Sequence, residues 1–197
     1  MISIFDYGAG NLRSVQNTLG AIGAEYELVR TPEALRRATK IILPGVGHFG
    51  QMMRAVDELG VREALKDSIR AGVPFLGICL GLQALFTESE EAPEVRGLGI
   101  FAGSVRRFEG EIRIPHMGWN QLEPLRASRL LRETGEMPFV YFAHSYYAPV
   151  TTATAAICEY SVPYTAVLEQ DNVSGVQFHP EKSGELGLRV VRNFVES

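Results

Sequence analysis

In the first half of the chain, short runs rich in β-forming apolar residues alternate with stretches whose apolar residues have helical spacing. The short runs have the length and composition of buried strands, and they lie at residues 2–6, 25–29, 40–45 and 73–78. The segments between them favour helices. Asn11 is placed to cap a helix over residues 11–22, and Thr31 and Pro32 mark the start of the next helix. Strands that alternate with helices predict a parallel sheet, because each parallel connection needs a long crossover.

The second half of the chain has a different pattern, with short β-like runs separated by turns. These runs predict antiparallel or mixed additions to the sheet. Near the end, Leu186, Val190 and Phe194 recur every four residues, as on the buried face of an amphipathic helix. The predicted fold is therefore α/β, with an open, twisted, mostly parallel central sheet, helices on both faces and additional antiparallel strands. No repeat and no linker divides the chain, so we expect one domain over residues 1–197.

Composition narrows the classes of partner. The 197 residues carry a net charge of −4, and no stripe of Lys and Arg is present to neutralise the phosphates of a nucleic acid. The most apolar window, residues 73–86, contains glycines and is shorter than the roughly 20 residues that cross a bilayer. The opening residues have neither a basic segment nor a long apolar run. We therefore expect no nucleic acid, no membrane, a cytoplasmic location, and a small molecule or a protein as partner.

Metals and cofactors are not predicted. Cys79 and Cys158 lack the paired spacing of a zinc site or of a disulfide framework. Gly8 and Gly10 match only the first two glycines of the dinucleotide-binding fingerprint, because Arg13 occupies the third position. Each cysteine therefore has to be interpreted by itself.

Cys79 stands between two glycines in GICLG, residues 77–81, after a predicted strand and before the helix-like run CLGLQALF. This pattern is typical of a nucleophile on a strained turn, where neighbouring backbone approaches too closely for side chains. The N–H of Leu80 would then point at a developing oxyanion, and the positive helix N-terminus would favour thiolate over thiol. The alternative is a small buried hydrophobe, which free cysteine often is.

A nucleophilic cysteine needs a base, and His179 is the best placed of the four histidines. It ends a β-like run, and Pro180 holds it extended. Glu181 follows two residues later, where its carboxylate can orient the imidazole ring. A structural role is expected for the histidines that lack such a carboxylate, which are His48, His116 and the rival base His144.

A second glycine-rich loop, LPGVG at residues 43–47, follows the third predicted strand and lies at the same sheet edge as Cys79. Its glycines allow the backbone N–H groups at Gly45 and Val46 to turn toward a ligand, so this loop is a candidate for a second oxyanion donor. An ordinary strand-to-helix turn is the alternative.

These motifs together resemble a known family. The chain resembles the class I (triad) glutamine amidotransferases in three motifs that occur in this order: PGVG, GICLGLQ and a late HPE. It is further similar to the glutaminase subunits of imidazole glycerol phosphate synthases, from histidine biosynthesis, in the segments YGAGN, IPHMGWN, HSYY and FHPEKS. The resemblance covers the whole chain. It implies hydrolysis of glutamine to glutamate and ammonia through a thioester on Cys79, with His179 as base and Glu181 as its orienting group.

The resemblance also implies the residues that recognise glutamine. They are Gly47, Leu80, Gln83 and Glu91, with backbone around His144, Ser145 and Tyr146. Gln83 lies one helical turn beyond Cys79, close enough to face the same pocket. Glu91 belongs to the acidic run ESEE, and a solvated charge is the alternative interpretation for it.

A partner is implied as well, because such subunits pass ammonia to a cyclase, a (β/α)8 barrel, in a 1:1 heterodimer. Trp119 followed by Asn120 fits a docking segment, because it offers an aromatic anchor beside a polar contact. Without the resemblance, a tryptophan buried in the core beside a turn explains the same residues equally well. The other interface candidates are Asn11, Tyr141 and Lys182. The resemblance further suggests that the Gly45–Val46 peptide aims its N–H at the oxyanion only when the partner is bound.

Three other functions remain open at this level. The chain could be a glutaminase that serves a different synthase, although PHMGWN and HSYY argue against this. It could also be a noncatalytic module that binds a partner, against which the intact set of Cys79, His179 and Glu181 argues. A cysteine hydrolase that acts on peptides or esters is excluded only by the family resemblance.

Overall fold

The computed structural model describes residues 1–9 and 11–197, so the Gly10 position of the glycine-rich opening lies outside the described residues. Its strands are β1 (Ile2–Phe5), β2 (Tyr26–Val29), β3 (Ile41–Gly45), β4 (Phe75–Cys79), β5 (Phe86–Ser89), β6 (Phe101–Arg107), β7 (His116–Gln121), β8 (Glu123–Pro124), β9 (Phe139–His144), β10 (Tyr146–Tyr147), β11 (Thr154–Tyr160), β12 (Val162–Gln170) and β13 (Val173–Val176). Its α-helices are α1 (Leu12–Ala21), α2 (Pro32–Arg37), α3 (Phe49–Glu58), α4 (Arg62–Arg70), α5 (Leu80–Gln83) and α6 (Gly184–Glu196). A 3-10 helix spans Pro180–Lys182.

The central sheet has eight strands in the order β2-β1-β3-β4-β13-β12-β11-β8. The first five strands are parallel, and the last three add antiparallel pairs. The predicted fold class is confirmed. One strand of the second half, β13, is a mixed addition, since it pairs parallel to β4. The turn at Asp171–Asn172 pairs β13 antiparallel to β12 and so gives β13 the direction of the parallel strands.

Alternation along the parallel strands divides the core into two layers. Phe5, Leu43 and Phe75 pack on one side of the sheet, with apolar residues of α2, α3 and α4. The neighbouring strand residues, Ile4 and Ile42 among them, pack on the other side with residues of α1 and α6. Successive strand residues point to opposite faces, so a sheet covered by helices on both faces needs apolar residues at every position. The continuous apolar runs of the sequence follow from this requirement.

Two local predictions are wrong. The helix-like run after Cys79 forms only the single turn of α5, and Phe86 already belongs to β5, which pairs with β6 in a separate three-stranded sheet with β10. Short apolar runs do not distinguish a buried strand from a buried helix, because both are apolar on all sides. Asn11 stands at the start of α1, but its side chain accepts from the Ser14 hydroxyl at 2.7 Å and caps no backbone N–H. The Thr31 cap is confirmed by its bond from the N–H of Ala34.

The register of the parallel strands brings three loops to one edge of the sheet. Gly45 at the end of β3 lies opposite Cys79 at the end of β4, and Val176 at the end of β13 lies opposite Ile78. Ligands of open α/β sheets bind outside the carboxyl ends of the strands, where such loops meet. Within the described part of the chain, no helix has both the length and the apolar content needed to cross a membrane.

Candidate active site

Cys79 occupies a strained turn between β4 and α5. Its φ of 54° and ψ of −105° lie in a region that residues with a side chain rarely adopt. The flanking glycines explain how the turn closes. A Cβ at Gly77 would meet the backbone of Gly81, and a Cβ at Gly81 would overlap the carbonyl oxygen of Leu43. Glycine at these positions therefore lets the turn pack directly on the sheet, as the GICLG pattern predicts.

The thiol of Cys79 opens into a cavity of about 180 Å³. Pockets for drug-sized ligands measure roughly 300–1,000 Å³, so this one suits a molecule of the size of a single amino acid. The structure brings ten of the predicted site residues to its wall, which are Val46, Gly47, Cys79, Leu80, Gln83, Glu91, His144, Ser145, Tyr146 and His179. It adds three that the sequence analysis did not name, Pro115, Met117 and Ala143.

His179 follows β13 and is 3% exposed. Its Nδ1 lies 2.9 Å from Oε1 of Glu181, whose side chain is buried. The carboxylate reaches the ring from the 3-10 helix that starts at Pro180, and not from the extended run that the sequence predicted. A bond from Nδ1 to a carboxylate leaves Nε2 to exchange protons with a reacting group.

The charge on His179 depends on the two groups beside it. Burial by itself lowers the pKa of His179, because a charged ring loses hydration. The negative charge of Cys79 and the hydrogen-bonded carboxylate of Glu181 more than offset this effect and raise the pKa to about 10. The arrangement therefore favours the charged form of His179, which carries a proton that it can transfer.

The other histidines have structural contacts. His144 lines the cavity, but burial lowers its pKa to about 3, and its Nδ1 donates to the carbonyl oxygen of Tyr146 at 2.8 Å. His116 is buried against aromatic rings, which lowers its pKa to about 4. His48 accepts from the N–H of Gly50 at the start of α3. The lowered pKa values make His116 and His144 weak bases, and the ring of His48 is engaged at the start of α3.

The predicted oxyanion donors, which come from the start of α5 and from the loop after β3, differ in their hydrogen bonds. Leu80 is the first residue of α5, so its N–H has no partner within the helix, and the residue lines the cavity. The N–H of Val46 instead donates to the phenol oxygen of Tyr7 at 3.3 Å, and the same hydroxyl lies 3.3 Å from the carbonyl oxygen of Val46. Gly45 packs against Leu80, where a Cβ would clash. The Val46 N–H is therefore engaged by Tyr7 in this structure.

Two predicted glutamine-recognition residues have fixed polar contacts. Gln83 donates from Nε2 to the carbonyl oxygen of Tyr146 at 2.8 Å and to Oε1 of Gln177 at 3.1 Å, which leaves its own carbonyl oxygen for a ligand. Glu91 is half-buried, and its Oε2 accepts from the N–H of Phe49 at 2.7 Å at the start of α3. Glu91 is thus held at the cavity wall and is not a freely solvated charge.

The predicted interface residues divide into two groups. Trp119 is 57% exposed and lies opposite Tyr141 in the two-stranded sheet of β7 and β9. The ammonium of Lys182 lies 5.7 Å from the centre of the Tyr141 ring, so these three side chains form one surface. Asn120 points the other way and donates to the carbonyl oxygen of Glu159, because successive strand residues alternate between faces. Asn11, at the start of α1, is half-buried and bonded to Ser14.

The residues that the sequence analysis missed had a weak signal. Met117 pairs with Ala143 across β7 and β9, two positions from Trp119 and Tyr141, so strand periodicity could have placed them on the same face. Gln177 lies two residues before His179, so strand periodicity could have placed the two side chains on the same side of the backbone. Tyr7 had no signal, because its contact with Val46 joins distant segments.

The sequence of this chain is similar to those of known proteins. Residues 3–197 match the family model described as Glutamine amidotransferase class-I. The chain is 50% identical to the imidazole glycerol phosphate synthase subunit HisH of Methanothermobacter thermautotrophicus, over all of this chain and 98% of that protein. It is 44% identical to the subunit of the same name from Deinococcus radiodurans, over 98% of this chain and 92% of that one.

Solved structures share the fold. A crystal structure of a glutamine amidotransferase superposes with a TM-score of 0.78 at 22% identity, covering 99% of this chain and 97% of the other. The structure of PurLQS from Thermotoga maritima gives a TM-score of 0.77 at 20% identity, with the same coverage.

Proposed function

The chain belongs to the glutamine amidotransferase class-I family, and from this membership we propose that it is the glutaminase subunit of an imidazole glycerol phosphate synthase, in histidine biosynthesis. It hydrolyses glutamine to glutamate and ammonia and supplies the ammonia to a partner subunit. The observation that carries the proposal is the meeting of a strained Cys79 and the paired His179 in one cavity of amino-acid size.

The first half of the reaction forms a thioester. The sulfur of Cys79 attacks the side-chain amide carbon of glutamine, and a C–S bond forms as the carbonyl electrons move to oxygen. When the tetrahedral intermediate collapses, the C–N bond breaks and the imidazolium of His179 gives its proton to the departing nitrogen. Ammonia leaves, and Glu181 keeps the ring oriented throughout.

The second half hydrolyses the thioester. Water attacks the thioester carbon and gives a proton to the neutral His179 ring. The C–S bond then breaks, its electron pair returns to the sulfur of Cys79, and glutamate is released. The thiolate and the imidazolium are restored, which closes the cycle.

Substrate orientation is assigned to the cavity wall. Gln83 offers its carbonyl oxygen to the amide nitrogen of glutamine, and Glu91 pairs with the α-ammonium group. Gly47 and the backbone around Ser145 and Tyr146 contact the rest of the ligand. The N–H of Leu80 binds the oxyanion in both halves of the reaction.

The second oxyanion donor is the N–H of Val46, and its orientation depends on whether the partner is bound. In the conformation described above, Tyr7 occupies the N–H of Val46, so the peptide contributes nothing to the oxyanion. Docking of the partner turns the Gly45–Val46 peptide toward the cavity. The loss of one oxyanion donor costs roughly a hundred- to a thousandfold in rate, enough to suppress idle release of ammonia.

The relatives are named as subunits, which implies a partner subunit for this chain as well. The partner is a cyclase, a (β/α)8 barrel, in a 1:1 heterodimer. The partner covers the exposed face that carries Trp119, Tyr141 and Lys182. This face lies beside the cavity, because Met117 belongs to β7, as Trp119 does, and also lines the cavity. Asn11 and Asn120 are placed at the margin. The single domain over residues 1–197 and the cytoplasmic location stay predictions.

Reconstitution with the cyclase tests the assignment. Cys79→Ala is expected to reduce glutamine-dependent synthesis at least roughly a thousandfold, because no thioester forms, while ammonium-dependent synthesis stays near the wild-type rate. Cys158→Ala is the matched control, since it removes a buried thiol outside the cavity and should keep both reactions. Equal loss of both reactions in Cys79→Ala would contradict the proposal and assign Cys79 a structural role.

A further inference from the structure

Gln177 places a carboxamide against the sulfur of Cys79. Its side chain is fully buried, and its Nε2 lies 3.6 Å from Sγ, within hydrogen-bond distance for sulfur. Gln177 follows β13 directly and precedes His179 by two residues. Two side chains from this one segment, those of Gln177 and His179, therefore lie near the sulfur of Cys79. A buried amide is costly unless it is hydrogen-bonded, and Gln177 meets this demand with contacts inside the site.

The direction of the Gln177 amide follows from its neighbours. The backbone carbonyl of Tyr146 can only accept, so the atom of Gln83 that lies 2.8 Å from it must be Nε2. The second N–H of the Gln83 amide then needs an acceptor, and Oε1 of Gln177 stands at 3.1 Å. With its oxygen committed to Gln83, Gln177 can offer only its Nε2 to Cys79. The backbone carbonyl of Tyr146 therefore fixes the orientation of the Gln83 amide. That amide in turn fixes Gln177, in the order in which each group donates, with Nε2 of Gln177 toward the sulfur of Cys79.

From this order we propose that Gln177 is a catalytic residue that stabilises the sulfur as a leaving group in the second half of the reaction. The proposal rests on the function proposed above. When water has added to the thioester, the C–S bond breaks, its electron pair goes to Sγ, and the N–H of Gln177 donates to the charge that develops there. The proton of the attacking water stays on His179.

The first half of the reaction does not gain from this contact. The sulfur loses charge as it bonds to the amide carbon, so a donor that favours charge on sulfur gives no help to the attack. Removal of the donor is therefore expected to slow thioester hydrolysis selectively. The bond to Gln83 adds a link to substrate recognition, because the same amide that presents its oxygen to glutamine also orients Gln177.

Two variants test this role in the reconstituted complex. Gln177→Met and Gln177→Leu both remove the amide contacts with Gln83 and with the sulfur of Cys79, and neither places a charge beside that sulfur. Hydrogen bonds to charged groups contribute about 1.5–3 kcal/mol, so kcat for glutamine hydrolysis is expected to fall roughly 10- to 100-fold in both variants. KM should fall with it and leave kcat/KM within a fewfold of wild type, because acylation is spared.

Acid quench followed by mass spectrometry measures the predicted intermediate directly. The glutamyl thioester on Cys79 should accumulate to most of the enzyme in both variants, with a burst of about one ammonia per site. Asn193→Leu is the control, because Asn193 is a buried amide that donates to the carbonyls of Leu130 and Arg132, away from the cavity. It should lose stability without accumulating thioester.

The outcomes separate the two proposals. If wild type forms no thioester on Cys79 and Cys79→Ala keeps its glutaminase activity, the proposed function itself fails. If wild type forms the thioester but both Gln177 variants hydrolyse it at the wild-type rate, only the role of Gln177 is overturned. A fall in kcat/KM equal to the fall in kcat, as in a merely structural defect, would also overturn it.

Discussion

The turn at Cys79 and the loop at Val46 and Gly47 follow neighbouring strands and face the same cavity, yet they are held in different ways. At the turn, backbone packs on backbone, and a Cβ on Gly77 or Gly81 would overlap main-chain atoms. A Cβ on Gly47 would meet nothing within 4 Å, and the Val46 N–H is bonded to the hydroxyl of Tyr7. The proposed nucleophile is thus fixed by backbone packing on the sheet, whereas the loop proposed to bind the oxyanion is held by a side chain.

This difference assigns different tasks to the two segments. To move Cys79, the packing of β3, β4 and α5 would have to change, because interiors are close-packed and deform little. To turn the Val46 peptide, the protein gives up a hydrogen bond worth about 0.5–1.5 kcal/mol. In the proposed function, a preorganised nucleophile beside an adjustable oxyanion donor would let a partner control the rate without rebuilding the site.

The largest expected effect comes from forcing a side chain into the turn. Gly81→Ala would push a methyl group into the carbonyl of Leu43, and overpacking of this kind costs about 1–3 kcal/mol or more. Because 1 kcal/mol shifts the melting temperature by roughly 2–4 °C in a chain of this size, calorimetry should record a fall of roughly 2–12 °C. Glutaminase activity should be lost as Cys79 moves.

Gly20→Ala is the matched control for this change. Gly20 lies near the end of α1, with open space at its Cβ position, and alanine in a helix is favoured over glycine by roughly 0.5–1 kcal/mol. Its melting temperature should stay equal or rise. Wild-type stability and activity in Gly81→Ala would mean that the turn at Cys79 is not rigid. The turn would then not differ in rigidity from the loop at Val46 and Gly47.

An intermediate effect is expected on the charge of His179. In Cys79→Ala the attraction of the thiolate is gone while burial still opposes the charged ring, so the pKa of His179 should fall below about 10. The ring keeps its proton up to about pH 10 in wild type and releases it at lower pH in the variant. Titration of the ring signals by NMR measures the shift.

Cys158→Ala serves as the control for the titration. Cys158 is equally buried, and burial raises the pKa of its thiol to about 11, so near neutral pH it places no negative charge beside His179. The His179 titration should match wild type. An unchanged titration in Cys79→Ala would instead attribute the raised pKa to Glu181 alone.

The smallest effect is expected at the loop. Tyr7→Phe removes the hydroxyl that holds the Val46 peptide, and one hydrogen bond of about 0.5–1.5 kcal/mol corresponds to roughly a 2- to 10-fold change. The glutaminase rate of the isolated chain should rise by this factor. In the complex with the cyclase, the rates of variant and wild type should agree, because the peptide is already turned.

Tyr160→Phe is the control for the loop, since it loses a phenol hydrogen bond to the carbonyl of Arg113 and leaves Val46 untouched. Its isolated rate should equal that of wild type. A Tyr7→Phe rate at or below wild type would show that Tyr7 does not restrain the oxyanion donor.

Much of the fold could be read from the sequence, because its signals are local. The β-rich runs of the first half predicted four of the five parallel strands, and spacing of four predicted α6. The run after Cys79 was misread, since α5 ends after one turn and Phe86 joins β5 only through its pairing with β6. The separate pair of β7 and β9 was missed for the same reason, because strand partners far apart in sequence leave no local trace.

The sequence by itself determined the chemistry that short motifs encode: a cysteine between glycines, a histidine held extended by proline, and a carboxylate two residues later. Each depends on neighbours along the chain, so the residue types and their spacing were sufficient. The tertiary structure decided which groups face Cys79 and Val46. Gln177 is 98 residues from Cys79, and Tyr7 is 39 residues from Val46. Such contacts arise from the strand order and register of the folded sheet, and no local pattern specifies them.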